Sequence, residues 1–270
     1  MARHAKSSRP QTRAAIKPLV RRRFPILEHD PARTAIIEPR YITKSIEVPE
    51  HCVLCFFHEI IDVHTRERGR EVSAEQSEGG RQPIYEIEFG RQRLIVAHPR
   101  IGAPMAAAML ERLIALGCRK FIACGGAGVL DSAIAVGHII VPAAAIRDEG
   151  TSYHYLPAGR AVGPHPRAMR AIEATLRARG VEYIVAKTWT TDAVYRETRA
   201  RMLARKREGC LTVEMEAAAF FAVAKFRRVM LGQILYGGDD LGGKWNARAW
   251  MRQTVRAQLF ELAAEACLRM

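Results

Sequence analysis

No apolar run in this chain approaches the ~18–20 residues that span a bilayer, so a transmembrane helix is excluded. The first 25 residues contain no Asp or Glu and no apolar core of signal-peptide type, which argues against secretion. Six cysteines in 270 residues do not make a disulfide framework. The single C-x-x-C, Cys52 to Cys55, has no second C-x-x-C to complete a structural zinc site. It sits in the apolar run His51–Phe57, which reads as a buried strand whose period of two sends the cysteines to opposite faces. No metal is expected. Reduced thiols suit a soluble, cytoplasmic protein.

What is present is an ordinary globular mixture, 49 % apolar and 26 % charged, on a chain long enough to bury a sizeable core. The net charge of +14 is uneven, because residues 1–25 alone carry eight cations, from Arg3 to Arg23. That tail reads as a disordered solvated arm, or alternatively as an electrostatic arm or a transit segment. Nothing in it reads bases. Residues 26–270 then form a single domain, with no internal repeat and no later linker.

Along that domain Ser45–Phe57 reads as a strand and His58–Arg68 as a charged helix. Arg70–Arg81 is polar and reads as a loop. Tyr85–Phe89 and Leu94–Ala97 flank Gly90 as a hairpin. Strands follow at Lys120–Cys124, His138–Val141 (extended towards Arg147), Tyr183–Thr190, Leu211–Val213 and Val229–Tyr236. Between and after them lie helices at Met105–Leu116, capped by Gly117, and at Pro166–Arg179, Tyr195–Arg207, Glu216–Lys225 and Asn246–Leu268. Such alternation predicts an α/β fold with a central mixed, largely parallel sheet covered by helices on both faces. Ligands then gather beyond the carboxyl ends of strands.

Three segments at those ends carry chemistry. Gly125-Gly-Ala-Gly128 brings backbone close to an anion or a sugar, or is simply a tight strand–helix turn. It is neither G-x-G-x-x-G nor a P-loop, so dinucleotide and NTP binding are not expected. Glu214-Met215-Glu216 places two carboxylates at a strand–helix junction. A carboxylate accepts two hydroxyls at once, which suits a ribose cis-diol, with Met215 as a soft surface for the sugar; the alternative is an acidic helix start. Asp239 and Asp240 follow an apolar strand and two glycines. Adjacent carboxylates raise one another's pKa, giving a proton donor for a leaving base, unless Gly-Gly-Asp-Asp is only a turn. The cationic run Arg196–Arg207 reads as a solvated helix face rather than a nucleic-acid surface.

In order and spacing these pieces resemble the nucleoside phosphorylase and nucleosidase superfamily. The resemblance runs from about Leu94 to Trp250 and also includes Ile101-Gly-Ala-Pro104, Arg147–Ser152 and Thr191-Asp192 with Tyr195. It implies a three-layer α/β/α fold, a homo-oligomer (dimer, trimer or hexamer) and cleavage of the N-glycosidic bond of a purine or pyrimidine ribonucleoside. Glu216 would bind the ribose diol, with Met215 against the sugar and Glu214 at the base or the sugar edge. Asp239 would protonate the leaving base, with Asp240 as fallback. Gly125 and Gly126 would floor the site, and Val194 and Tyr195 would meet the base.

The departures concern the nucleophile and the base. The family's phosphate segment Gly-Asp-Pro-x-Arg has no counterpart here, its arginine before the glycine segment falls at Ala123, and its Ser or Thr falls at Gly126. Arg100 and Arg147 are the expected substitutes for holding phosphate. The uracil-reading Gln-x-Arg falls at Thr198-Arg199-Ala200, which leaves Arg199 as a substrate-binding candidate. Inorganic phosphate is the expected co-substrate, and no organic cofactor or nucleic-acid partner is expected. The alternatives are a nucleosidase that uses water and a nucleoside-binding protein without turnover.

Overall fold

The structure is a computed structural model that describes residues 19–43, 46–66, 69–249 and 251–270. Most of the basic N-terminal arm, and the expected strand start at Ser45, lie outside the described residues. After a 3-10 turn at Pro25–Leu27 and a short α1 (Pro39–Ile42), the chain alternates. It runs through β1 (His51–Cys55), α2 (His58–Thr65), β2 (Arg70–Ser77), β3 (Gly80–Phe89), β4 (Gln92–Ala97), α3 (Ala103–Leu116), β5 (Lys120–Val129), β6 (Ile139–Asp148), α4 (Ser152–Tyr155) and β7 (Ala161–Val162). Then come α5 (Pro166–Ala178), β8 (Tyr183–Thr191), a 3-10 turn Val194–Arg196, α6 (Arg199–Arg207), β9 (Cys210–Glu214), α7 (Ala217–Arg227), β10 (Met230–Asp240) and α8 (Gln253–Leu268).

The strands form one mixed sheet in the order β10-β6-β8-β9-β5-β1-β4-β3-β2. β5 pairs in parallel with β1 and with β10, and its last residues pair with β9. Because β10 also pairs with β6, the strands β5, β10, β6, β8 and β9 close into a ring, and β1, β4, β3 and β2 extend from it. Helices α3 and α7 cover one face with a core that includes Cys52, Phe121 and Phe220. Helices α2, α5 and α8 cover the other with Cys55, Ile122 and Phe260. Cys52 and Cys55 thus face opposite ways, and all six cysteines are buried free thiols. Helix α7 is buried at every position from Ala217 to Ala224, as a helix enclosed between a sheet and a neighbour must be.

Four expectations are corrected. Residues 70–81 are not a loop but β2 and the start of β3, an antiparallel pair. Their polar composition reflects an edge strand, largely unburied, on which charges guard against pairing with other chains; Arg70 pairs across it with Glu86 at 3.0 Å. The glycine segment 125–128 and the stretch Gly237–Asp240 are not turns but the ends of β5 and β10, which pair with each other up to an irregularity between Gly237 and Asp240. Glycine sits in these strands because side chains approach closely. A Cβ on Gly125 would lie 3.0 Å from the Phe56 ring, and one on Gly126 would lie 3.1 Å from that of Tyr236. The expected helix at 195–207 is broken, with Glu197 and the cap Thr198 between the 3-10 turn and α6. The last helix starts at Gln253 rather than Asn246. Asn246 forms a bridge to Asp240, and Arg248 and Ala249 adopt left-handed backbone with φ 48° and 47°.

Candidate active site

A cavity of ≈ 840 Å³ opens at the carboxyl ends of β1, β5, β9 and β10, a size ordinary for a small-molecule site. The β9–α7 junction supplies its most organised part. Glu214, the last residue of β9, turns its carboxylate back on the helix. Oε2 accepts the Glu216 and Ala217 N–H groups at 2.8 and 2.6 Å, and Oε1 accepts the Thr190 hydroxyl at 2.6 Å. Thr190 Oγ1 in turn accepts the Ala218 N–H at 3.0 Å. These bonds occupy the first amides of α7, which have no partner within the helix. Although Glu214 lines the cavity, its oxygens serve the protein more than a ligand.

Glu216 differs. Buried to 6 % exposure, its Oε1 accepts the Gly102 N–H at 2.6 Å. Gly102 can aim that N–H because it stands at φ 90°, a conformation that suits glycine. Burial, then the charge of Glu214, push the Glu216 carboxyl above the usual carboxylate range. Burial pushes Glu214 up too, against the pull of its donors. Met215, half-buried between the two glutamates, also lines the cavity.

The two aspartates are separated by the strand alternation of β10. Asp239 lines the cavity and its Oδ2 accepts the Trp245 indole N–H at 2.8 Å. Asp240 does not line it. Its Oδ1 accepts the Gly242 N–H at 2.7 Å and the Ser132 hydroxyl at 3.1 Å, which holds the turn after β10. Gly125, Gly126, Val194, Tyr195 and Arg199 also line the cavity. Arg199 reaches across to the carbonyls of Gly242 and Gly243 at 3.4 and 3.3 Å.

The structure does not bring the two expected phosphate arginines to the cavity. Arg100 is bound to Glu75 at 3.0 Å and to the carbonyls of Gly79 and Gly80. Arg147 donates to Ser152 Oγ and to the carbonyls of Pro157 and Leu156. Each guanidinium is committed to shaping a loop. Ser152 lies on the short helix α4.

Among the lining residues that sequence reasoning missed are Glu197, Gln233, Trp245 and Arg256. Burial, then the nearby Asp239 charge, lift the Glu197 carboxyl to about 7. Gln233 is 1 % exposed and its Oε1 has no partner among the described residues. Arg256 on α8 lies over the Phe57 ring and pairs with Glu59 at 2.6 Å. Glu197 was hidden in a cationic run, and Arg256 in the pattern of a closing helix.

Comparison with known proteins agrees with this architecture. The chain is 30 % identical over 151 residues to a guanosine phosphorylase of Halorubrum lacusprofundi, a match covering 56 % of this chain and 63 % of that one. It is 30 % identical over 104 residues to a uridine phosphorylase of Haemophilus influenzae, covering 38 % and 41 %. These matches therefore span less than two thirds of each relative. Among solved structures, a purine nucleoside phosphorylase of Toxoplasma gondii superposes with a TM-score of 0.72 at 20 % identity, covering 82 % of this chain and 92 % of that one. An AMP nucleosidase of Bacteroides thetaiotaomicron gives 0.67 at 23 %, covering 84 % and 91 %. At these identities the superpositions speak for the fold. The profile of the phosphorylase superfamily matches residues 52–269, and with a buried Glu-Met-Glu junction beside a glycine-floored cavity, the chain belongs to that superfamily.

Proposed function

We propose that the chain cleaves the N-glycosidic bond of a ribonucleoside, transferring the ribosyl group to phosphate. The observation that carries this reading is Glu216, a buried carboxyl held by one N–H and facing a cavity that also presents Asp239 and Met215. A carboxylate there accepts the two ribose hydroxyls. As the bond from C1′ to the base breaks, its electrons leave with the base and a proton must reach the base to neutralise them; Asp239 is the carboxyl at the cavity placed to pass it on. The ribosyl cation is then captured at C1′ by the nucleophile. The relatives named guanosine phosphorylase and uridine phosphorylase support phosphate in that role, and Arg256 is the buried cation at the cavity that would meet it.

A second reading, hydrolysis by water, is favoured by one observation. Arg256 is paired with Glu59, and the cavity wall around it holds Phe56, Phe57 and glycines. A dianion gains less from a cation that already has a carboxylate. Free-base release from purine and pyrimidine nucleosides, followed by chromatography with and without phosphate, separates the two. Ribose 1-phosphate appearing only with phosphate supports ribosyl transfer to phosphate; free ribose without it establishes hydrolysis. Release from no nucleoside would overturn both.

A further inference from the structure

The cavity presents several side-chain hydrogen-bond acceptors. The Glu197 and Asp239 carboxyls line it, and the buried Gln233 Oε1 has no partner among the described residues. Of its donors, the Trp245 N–H goes to Asp239, and Nη1 of Arg199 reaches two backbone carbonyls. Among the described residues none gives Glu197 a side-chain hydrogen bond or ion pair, and the position shares one cavity with Asp239, Val194 and Tyr195. A uracil-type base offers two carbonyls around a single N–H, so it asks this wall for donors. A 2-amino-6-oxopurine offers adjacent imino and amino hydrogens, which one carboxylate accepts together.

Resting on the reading of this cavity as a nucleoside site, we propose that Glu197 reads the base, accepting the paired N–H groups of a 2-amino-6-oxopurine and so separating it from uracil-type bases. The carboxyl's charge state then matters. Ionised, it presents two acceptors; protonated, it presents one donor and one acceptor, which matches the N1 and amino group of adenine instead. The charged groups that share the cavity with it are Asp239 on β10, Arg199 two residues on in the chain, Glu214 and Glu216 at the β9–α7 junction and Arg256 on α8, of which Asp239 is the one that shifts it. Its titration near 7 puts the change of preference within an accessible pH range.

The test is equilibrium dialysis of guanosine, adenosine and uridine at pH 6 and pH 8.5, with the wild type, E197Q and E197A. The wild type is expected to favour guanosine over uridine by about tenfold or more at pH 8.5, with adenosine gaining at pH 6. Glu197→Gln carries one donor and one acceptor at every pH. It is expected to lose at least tenfold in the guanosine-to-uridine ratio, to shift towards adenosine and to lose the pH dependence. Glu197→Ala is expected to lose the ratio without the shift. An unchanged ratio in E197Q, or an equal loss for all three nucleosides, would overturn the proposal. Because binding is read without turnover, nucleosides that bind selectively but release no base would defeat glycosidic cleavage while leaving Glu197 as the selector. Binding of none would defeat both.

Discussion

Glu214 and Glu216 are two residues apart and do opposite work. Glu214 is saturated by amides and a hydroxyl, so Glu214→Gln turns an NH2 group towards N–H donors. An unfolding free energy lower by about 1–3 kcal/mol in urea is expected. Glu216→Gln leaves the fold in place and removes a charged acceptor for a diol. Each such bond is worth ~1.5–3 kcal/mol, so a fall of about 10- to 100-fold in kcat/KM is expected, with little change in stability at pH 5. The pH dependence has a definite sign. Burial raises the folded-state pKa of Glu216 above its ordinary 4.5, so folding binds extra protons above that value, and stability is lost as pH rises towards the raised pKa. Melting temperatures from pH 5 to pH 8 should therefore fall more steeply for the wild type than for E216Q, and parallel curves would show that Glu216 is ionised without penalty. The glutamates themselves were legible in the sequence because Glu-Met-Glu is local. Gln233, Trp245 and Arg256 were not, since each reaches the cavity from a different segment, and Glu197 was masked by the cations around it in the chain.

At the scale of elements, strand pairing decided what residue composition could not. Gly-Gly-Ala-Gly and Gly-Gly-Asp-Asp have the composition of turns, yet β5 and β10 run through them because the two strands pair with each other, with one irregularity between Gly237 and Asp240. That partnership is tertiary and leaves no local signature. The alternation of strands and helices was readable because it is periodic, and so was the three-layer arrangement that follows from it. The β2 edge was misread because an exposed strand and a polar loop share a composition. Gly126 offers a test of the close packing. The Tyr236 ring, whose hydroxyl takes Arg256 Nε at 3.3 Å, stands 3.1 Å from where a Cβ would be. Gly126→Ala forces a shift of a few tenths of an ångström in a ring that is fully buried. Overpacking of this kind costs ~1–3 kcal/mol, to be read from denaturant midpoints. An unaffected midpoint would mean that the ring yields freely.

Across the whole molecule, stability should be graded outward from the ring of strands. The amides of Phe121–Cys124 lie between β1 and β10 and can exchange only when the sheet separates. The β2–β3 hairpin borders solvent and opens locally at lower free energy. Hydrogen exchange by mass spectrometry is expected to find β5 slowest and β2 fastest among the strands; uniform protection would contradict this gradient. Ring closure also leaves the sheet with β2 as its one long open edge among the described residues. The routes by which this protein could recruit a strand from another copy are thereby reduced to one margin, which carries Arg70 and Glu71 at its start. Substitutions that neutralise this margin would therefore show first as a loss of colloidal stability.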